Sequence, residues 1–414
     1  MSEKPNDAKP LTYELLQKAI SGYAAAIRCT SILQPAAGEG TKVFPPTHSG
    51  GVYATEQRRL PVKDKDKSGE SRVVDCVLLD SVQSQANRIE DALQQAIDDG
   101  KLAMPLIVVN FGNAVADVQR VTSLQAPHRA ADAILRDSLT NQKDEKGKPL
   151  PFRKSDVGKA VTDSSLANAT GLFRYCPHAL FLGVWDSTGP KGGLGAKFAR
   201  ALVSEIVGID SVIGKKTSSR IDPLQTRAAA KVIKLKDGSW KLAESDNAKG
   251  AVSPSEINHG NIPPDVSEGS VTISRAEHTA VLSLPQLRRL HFPVDGKLDS
   301  GSDNAARTVL AALALVGLTL SLEHGSDLRS RCLLFPEGPL NFELLETPGK
   351  PTPISLDSGR AIAIYKEAVQ AATKLGLPWE TAPIVLTPSP ELVALVKKSQ
   401  ELATVGGDDE KGEA

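Results

Sequence analysis

Apolar residues alternate with polar ones along some stretches of this chain and recur every three or four positions along others. The two periods mark strands and helices respectively. Residues 12–23 read as an opening helix, followed by a strand-like alternation through Ala26, Arg28, Thr30 and Ile32. "RVVDCVLL", residues 72–79, reads as a strand. The next stretch, "DSVQSQANRIEDALQQAIDDG", places Val82, Ala86, Ile89, Leu93 and Ala96 on one helical seam. Asp80 with Gln83 predicts a capping box, and Gly100 predicts the helix stop. Gln83, Asn87, Arg88 and Gln94 fall on the other faces, and capping and solvation account for Asp80, Glu90 and Asp91. "PLIVVNF" (105–111) and "HALFLGVW" (178–185) are short apolar runs of the kind that form buried strands. Strand-like segments follow at 198–209, "AAKVIKLK", "GSVTISRAE" and "RCLLFP", with helices over 305–322, 355–375 and 390–403. Strands and helices mixed with long polar stretches predict an α+β fold, one main domain with excursions.

Composition narrows the function. The 414 residues are 40% hydrophobic and 24% charged, enough for a large core. Only 4% are aromatic, so base stacking cannot be the main binding device, and zero net charge excludes a histone-like polycation. Cys29, Cys76, Cys176 and Cys332 are scattered without a CxxC pair, which suits a reducing compartment. "MSEKPNDAKP" lacks the apolar core of a signal peptide, so a cytoplasmic protein is expected. Residues 305–322 reach the lower length of a membrane span, but Arg307 lies inside them. A helix buried on all sides is expected there, and no membrane partner.

The densest candidate chemistry is "WDSTGPKGGLGAKFAR", residues 185–200, with Gly189, Gly192, Gly193 and Gly195 beside Lys191, Lys197 and Arg200. Such a loop can hold a nucleotide phosphate, a nucleic-acid backbone, or nothing beyond a tight turn. A P-loop needs Gly-Lys-Ser/Thr at its end; here Leu194 stands at the second glycine position, Ala196 intervenes before Lys197, and Phe198 replaces the hydroxyl. A dinucleotide fingerprint is missing too. Glycines that let a phosphate approach the backbone, next to three cations, favour the nucleic-acid reading over a bare turn. Between Lys191 and Lys236 there are ten Lys/Arg against three acidic residues, a local excess of the kind that contacts phosphates. Metal chemistry finds little support: Cys176 and His178 form an isolated C-x-H, better read as a structural pair than as ligands. No HExxH or G-x-S-x-G occurs, and His48 and His128 sit in polar contexts without a partner for acid–base work.

Three stretches together carry a family resemblance: "LLDSVQSQANRIEDAL" (78–93), "FLGVWDSTGPKGGLGAKFARALVSEIVGID" (181–210) and "SSRIDPL" (218–224). With "AAAIRCTSILQPA" they resemble the RAMP-superfamily backbone subunit of type I-G (formerly I-U) CRISPR effectors, over about residues 11–405. The resemblance implies an RRM-like, ferredoxin-like palm with inserted finger and thumb segments. It implies a single domain over 11–405, between disordered tails at 1–10 and 406–414, with a thumb-like segment at about 34–60. Insertions would fall at about 112–177 and 237–268. The implied function is non-catalytic: binding CRISPR RNA as the spine of a Cascade surveillance complex in antiviral defence, without a cofactor. Implied partners are CRISPR RNA, the target DNA strand through the guide, further copies in a head-to-tail filament, and the large and RNA-processing/capping subunits. Lys191, Gly192, Gly193, Gly195, Lys197 and Arg200 would lie on the RNA backbone. Arg28 would face RNA from the palm, Lys42, His48, Arg58 and Arg59 from the thumb, and Gln83, Asn87 and Arg88 from the helix. Arg220 completes the expected set. Without an RNP-type aromatic pair, recognition should run through backbone and shape. A metal-independent RAMP-fold CRISPR RNA endonuclease is the alternative.

Overall fold

Four strands in the middle of the largest sheet organise the molecule: β1 (Ala26–Pro35), β2 (Leu202–Ile209), β3 (Arg275–Ser283) and β4 (Asn341–Thr347). The computed structural model describes residues 8–61, 71–187, 189, 195, 197–235, 238–323 and 325–405, and shows a mixed α/β protein. Across the sheet the strands run β4-β1-β3-β2, each neighbouring pair antiparallel. Ser71–Asp80 and Thr55–Pro61 extend the sheet past β2; the latter is the end of the segment expected as a thumb. The rest of that segment includes a short hairpin, Thr47–His48 with Val52–Tyr53, and a bridge from Val43 to Val271.

The helices are α1 (Tyr13–Ser21), α2 (Val82–Asp98), α3 (Ser300–Leu322) and α4 (Ser358–Lys374), with shorter ones between. Between β1 and β2 the chain passes through α2, and between β3 and β4 through α3, giving a β-α-β-β-α-β course. Period-two alternation sets the sides of the sheet. In β1, Ile27, Cys29, Ser31 and Leu33 are buried, while Arg28, Thr30, Ile32 and Gln34 are only half-buried on the opposite face. Ile27 and Cys29 share one apolar cluster with Ile89 and Leu93 of α2 and Leu310 of α3. Gly317 lets α2 and α3 approach: a Cβ there would stand 2.7 Å from Ile89 and 3.2 Å from Leu93.

α3 is long and apolar enough to cross a membrane, yet 89% of its most apolar window is buried inside the protein. Arg307 is tolerated because its guanidinium donates twice to the Leu290 carbonyl, at 2.9 and 2.7 Å, and pairs with Asp303 at 3.0 Å. An arm leaves the sheet between β2 and β3, where Val212–Arg220 pairs with Ile262–Thr272. Residues 237–268, expected as an insertion, span part of its distal three-stranded sheet and most of its returning strand. Residues 112–177, also expected as an insertion, contribute Leu124, Leu135, Phe152 and Phe173 to the main core.

Two local expectations are corrected. "HALFL" (His178–Leu182) is a short helix, not a strand, set between Pro177 and Gly183. A buried apolar run of this length does not distinguish the two states by period. The cap of α2 is Ser81, whose hydroxyl accepts from the Ser84 amide. Asp80 instead ends its strand fully buried, where it meets Arg88, Gln85 and Arg329.

Candidate nucleic-acid interface

A two-residue ribbon closes the glycine loop. Val184 pairs with Phe198 and Trp185 with Lys197, antiparallel, so the intervening residues are held at both ends. Gly189 and Gly195 are among the described residues; Lys191, Gly192 and Gly193 lie outside them. The stem starts at Gly183, whose φ of 89° puts it in the left-handed region. A Cβ there would come within 2.9 Å of the Arg200 side chain and 3.2 Å of the Phe198 carbonyl, so the turn demands glycine.

Two arginines pin that stem from inside. Arg129 donates to the Gly183 carbonyl at 3.1 Å, and Arg200 donates to the Leu182 carbonyl at 3.0 Å. Arg129 is itself held by Glu90 of α2 in a buried two-pronged pair at 2.7 and 2.9 Å. Its backbone has φ 52°, a strained value for any residue other than glycine, which persists only where surroundings enforce it. Burial pushes the Glu90 carboxyl up, and the Arg129 guanidinium pulls it back. Burial, with the neighbouring Arg129 charge, also holds Arg200 below its usual range.

Beside this pair, burial and the Arg129 charge drop His178 to about 3, so it is neutral and its Nε2–H donates to the Ser123 carbonyl at 3.0 Å. Cys176 lies 3.5 Å from the same ring, and burial pushes its thiol up to about 12. The C-x-H pair is a piece of core polarity with no free thiolate. At the incoming end of the loop, Arg153 grips Asp186 at 2.7 and 2.8 Å. A cavity of about 40 Å³ lies beside the stem, against Ala130, Val161, Leu172, Val184 and Phe198. It is far smaller than a small-molecule site of several hundred Å³.

The other expected residues scatter over three places. On the open face of the sheet, Arg28 pairs with Glu343 at 2.8 and 2.5 Å, and Arg58 with Glu56 and, at 3.2 Å, with Glu205. Arg275 pairs there with Glu277 at 2.6 Å. These three arginines face four glutamates, so this surface has no excess positive charge from them. Arg59 is exposed and donates to Ser71 at 3.1 Å; His48 is exposed on its hairpin. Lys42 reaches the Lys215 carbonyl on the arm at 2.9 Å.

On α2, Gln83 and Asn87 are exposed as expected, but Arg88 is not available. It turns inward to buried Asp80 at 2.9 Å and to the Leu328 and Asp327 carbonyls at 2.7 and 3.1 Å. Arg220 is likewise committed, both prongs donating to the His259 and Gly260 carbonyls at 3.1 Å. The basic stretch after Lys191 therefore divides between the loop stem and the arm, where Lys215 meets Glu268 at 3.3 Å.

Three residues that shape the site were not anticipated from sequence. Glu90, expected to be solvated, is instead buried: it stands four residues after Ala86 and three before Leu93, inside the apolar seam of α2, a placement that signals a buried charge. Arg129 carries no such signal, since its φ is invisible in sequence. Trp185 opens the glycine-rich stretch, and nothing in the residue pattern marks it as exposed.

Residues 27–212 match the family model of CRISPR-associated protein GSU0053. The match covers just under half of the chain and takes in β1, α2, the whole glycine loop and β2. The sequence resemblance to CRISPR-associated proteins is thus borne out over the segment that builds the loop and its stem. Among solved structures, a chain of a CRISPR RNA-guided surveillance complex, in a pre-nicking state, aligns with 91% of this chain and 99% of its own. Identity is 10% and the TM-score 0.32, too low for either fold or role to pass from one protein to the other. No curated protein matches the chain.

Proposed function

We propose that this protein is the non-catalytic RNA-binding backbone subunit of a type I-G Cascade complex. The family match over residues 27–212 carries the reading, because that segment contains the glycine loop together with the elements that anchor it. The β4-β1-β3-β2 order with two crossing helices supports a ferredoxin-like RAMP palm, and the 212–272 arm supports an inserted finger. Glycine amides and Lys197 hold phosphates along the guide, Gln83 and Asn87 add sugar or phosphate contacts, and the bases stay free to pair with target DNA. Copies line up head to tail along one RNA and meet the large and RNA-processing subunits at the ends. The complex works in the cytoplasm.

The test is co-expression with a CRISPR array, a high-salt wash, and negative-stain imaging. Protected RNA of regular length on a filament or arc is the expected result. A monomer free of RNA overturns the reading. Incubation with precursor RNA should leave it intact; cleavage that vanishes in His48→Ala would replace the backbone role with the endonuclease.

A further inference from the structure

The loop stem presents an exposed indole. Trp185 is 47% open to solvent, as is Trp240 on the arm, although it sits at the closing pair of the ribbon. Trp379 shows the alternative: its ring packs against Phe173 at 4.8 Å and Tyr365 at 6.2 Å. Trp185 has a different neighbour. The Lys197 ammonium lies 4.7 Å from its ring centroid, the two side chains being paired across the ribbon and hence on one face of it.

The mounting is rigid. Gly183 and Leu182, just before the ribbon, are clamped by Arg129 and Arg200, and Asp186, just after Trp185, by Arg153. A flat ring on a fixed stem, with a cation against it at the mouth of a glycine-rich loop, combines the two parts that single-stranded nucleic acid needs: a surface for a base and charge for its phosphate.

We propose that Trp185 stacks one nucleobase of the bound single strand. Lys197 covers one side of the indole, the base lies on the side left open, and the ammonium offsets the phosphate of the same nucleotide. Stacking of this kind uses the face of a base and leaves its pairing edge open; it tolerates any base, so it sets where the strand sits without reading sequence. The inference rests on the RNA-binding reading above.

The experiment compares a labelled single-stranded RNA with an abasic strand of the same length, by fluorescence anisotropy, on the full chain and on Trp185→Ala and Trp185→Phe. Trp185→Ala should weaken the intact RNA about tenfold, weaken the abasic strand less than about twofold, and leave the thermal transition in place. Trp185→Phe keeps a ring and should recover most of the loss; it also serves if the alanine variant fails to fold. Equal weakening of both strands, or none, overturns the stacking role while RNA binding stands. If the wild-type chain binds neither strand, the RNA-binding reading falls and the stacking role with it.

Discussion

The open face of the sheet and the stem of the glycine loop both carry arginines, and they use them in opposite ways. On the sheet, Arg28, Arg58 and Arg275 lie half-exposed and are each answered by a glutamate on the same face. At the stem, Arg129 and Arg200 point inward at backbone carbonyls, leaving Lys197 and Trp185 outside. The difference teaches that a count of cations says little about where phosphate can bind. What matters is whether each charge has already been matched by the protein.

Breaking the stem should have the largest effect. Glu90→Ala leaves the Arg129 guanidinium buried without its carboxylate, and removal of one partner from a buried pair costs about 3–5 kcal/mol. Urea unfolding should show that loss, and a change below about 1 kcal/mol would mean the pair is not holding the stem. The buried histidines should behave alike under both regions. Burial keeps His178 under the loop at about 3 and His278 under the sheet at about 4, so neither takes a proton near pH 5 in the folded chain. The unfolded chain does, below about 6.5. Their contribution is therefore complete above pH 6.5 and is lost as pH falls toward the folded values. Between pH 7 and 5 the wild type should lose about 2 kcal/mol more than either His178→Gln or His278→Gln. Equal pH slopes in wild type and variants would contradict the buried neutral assignment.

Smaller effects sharpen the contrast at the surface. Arg28→Ala should cost at most about 1 kcal/mol, since its partly exposed pair is screened by solvent, and should leave RNA affinity within about twofold. A large drop in affinity with this variant would move the RNA path onto the sheet. Lys197→Ala should change stability by no more than about 0.5 kcal/mol and flatten the salt dependence of RNA binding by about 0.7 of a unit. An unchanged salt slope would take Lys197 off the phosphate path.

Much of this could be read in the sequence because the relevant signals are periodic. The seam Ala86–Ile89–Leu93–Ala96 placed α2, and the run around Leu310 placed α3 in the core. Arg88 departs from expectation because helical position predicts the face on which a residue starts, not the partner its long side chain reaches. Asp80, one residue outside the helix and buried, draws it in. The loop's glycines are visible in the sequence, but its stem is held by Arg129, 54 residues away along the chain and in a backbone conformation that no residue pattern encodes. Candidate chemistry was therefore easier to find than the support that fixes it in space.

The antiparallel pairing of β1 with β4 also has a consequence in time. Arg28 and Glu343, neighbours in the sheet, are 315 residues apart along the chain. At a synthesis rate of about 5–20 residues per second, β1 waits roughly 15–60 s for that neighbour. For that interval one edge of an apolar strand lacks its permanent partner, and it can be joined by any other extended chain nearby. Newborn molecules are therefore most open to mispairing until β4, in the last fifth of the chain, emerges. A premature stop just before β4 should yield insoluble protein rather than a weakened binder.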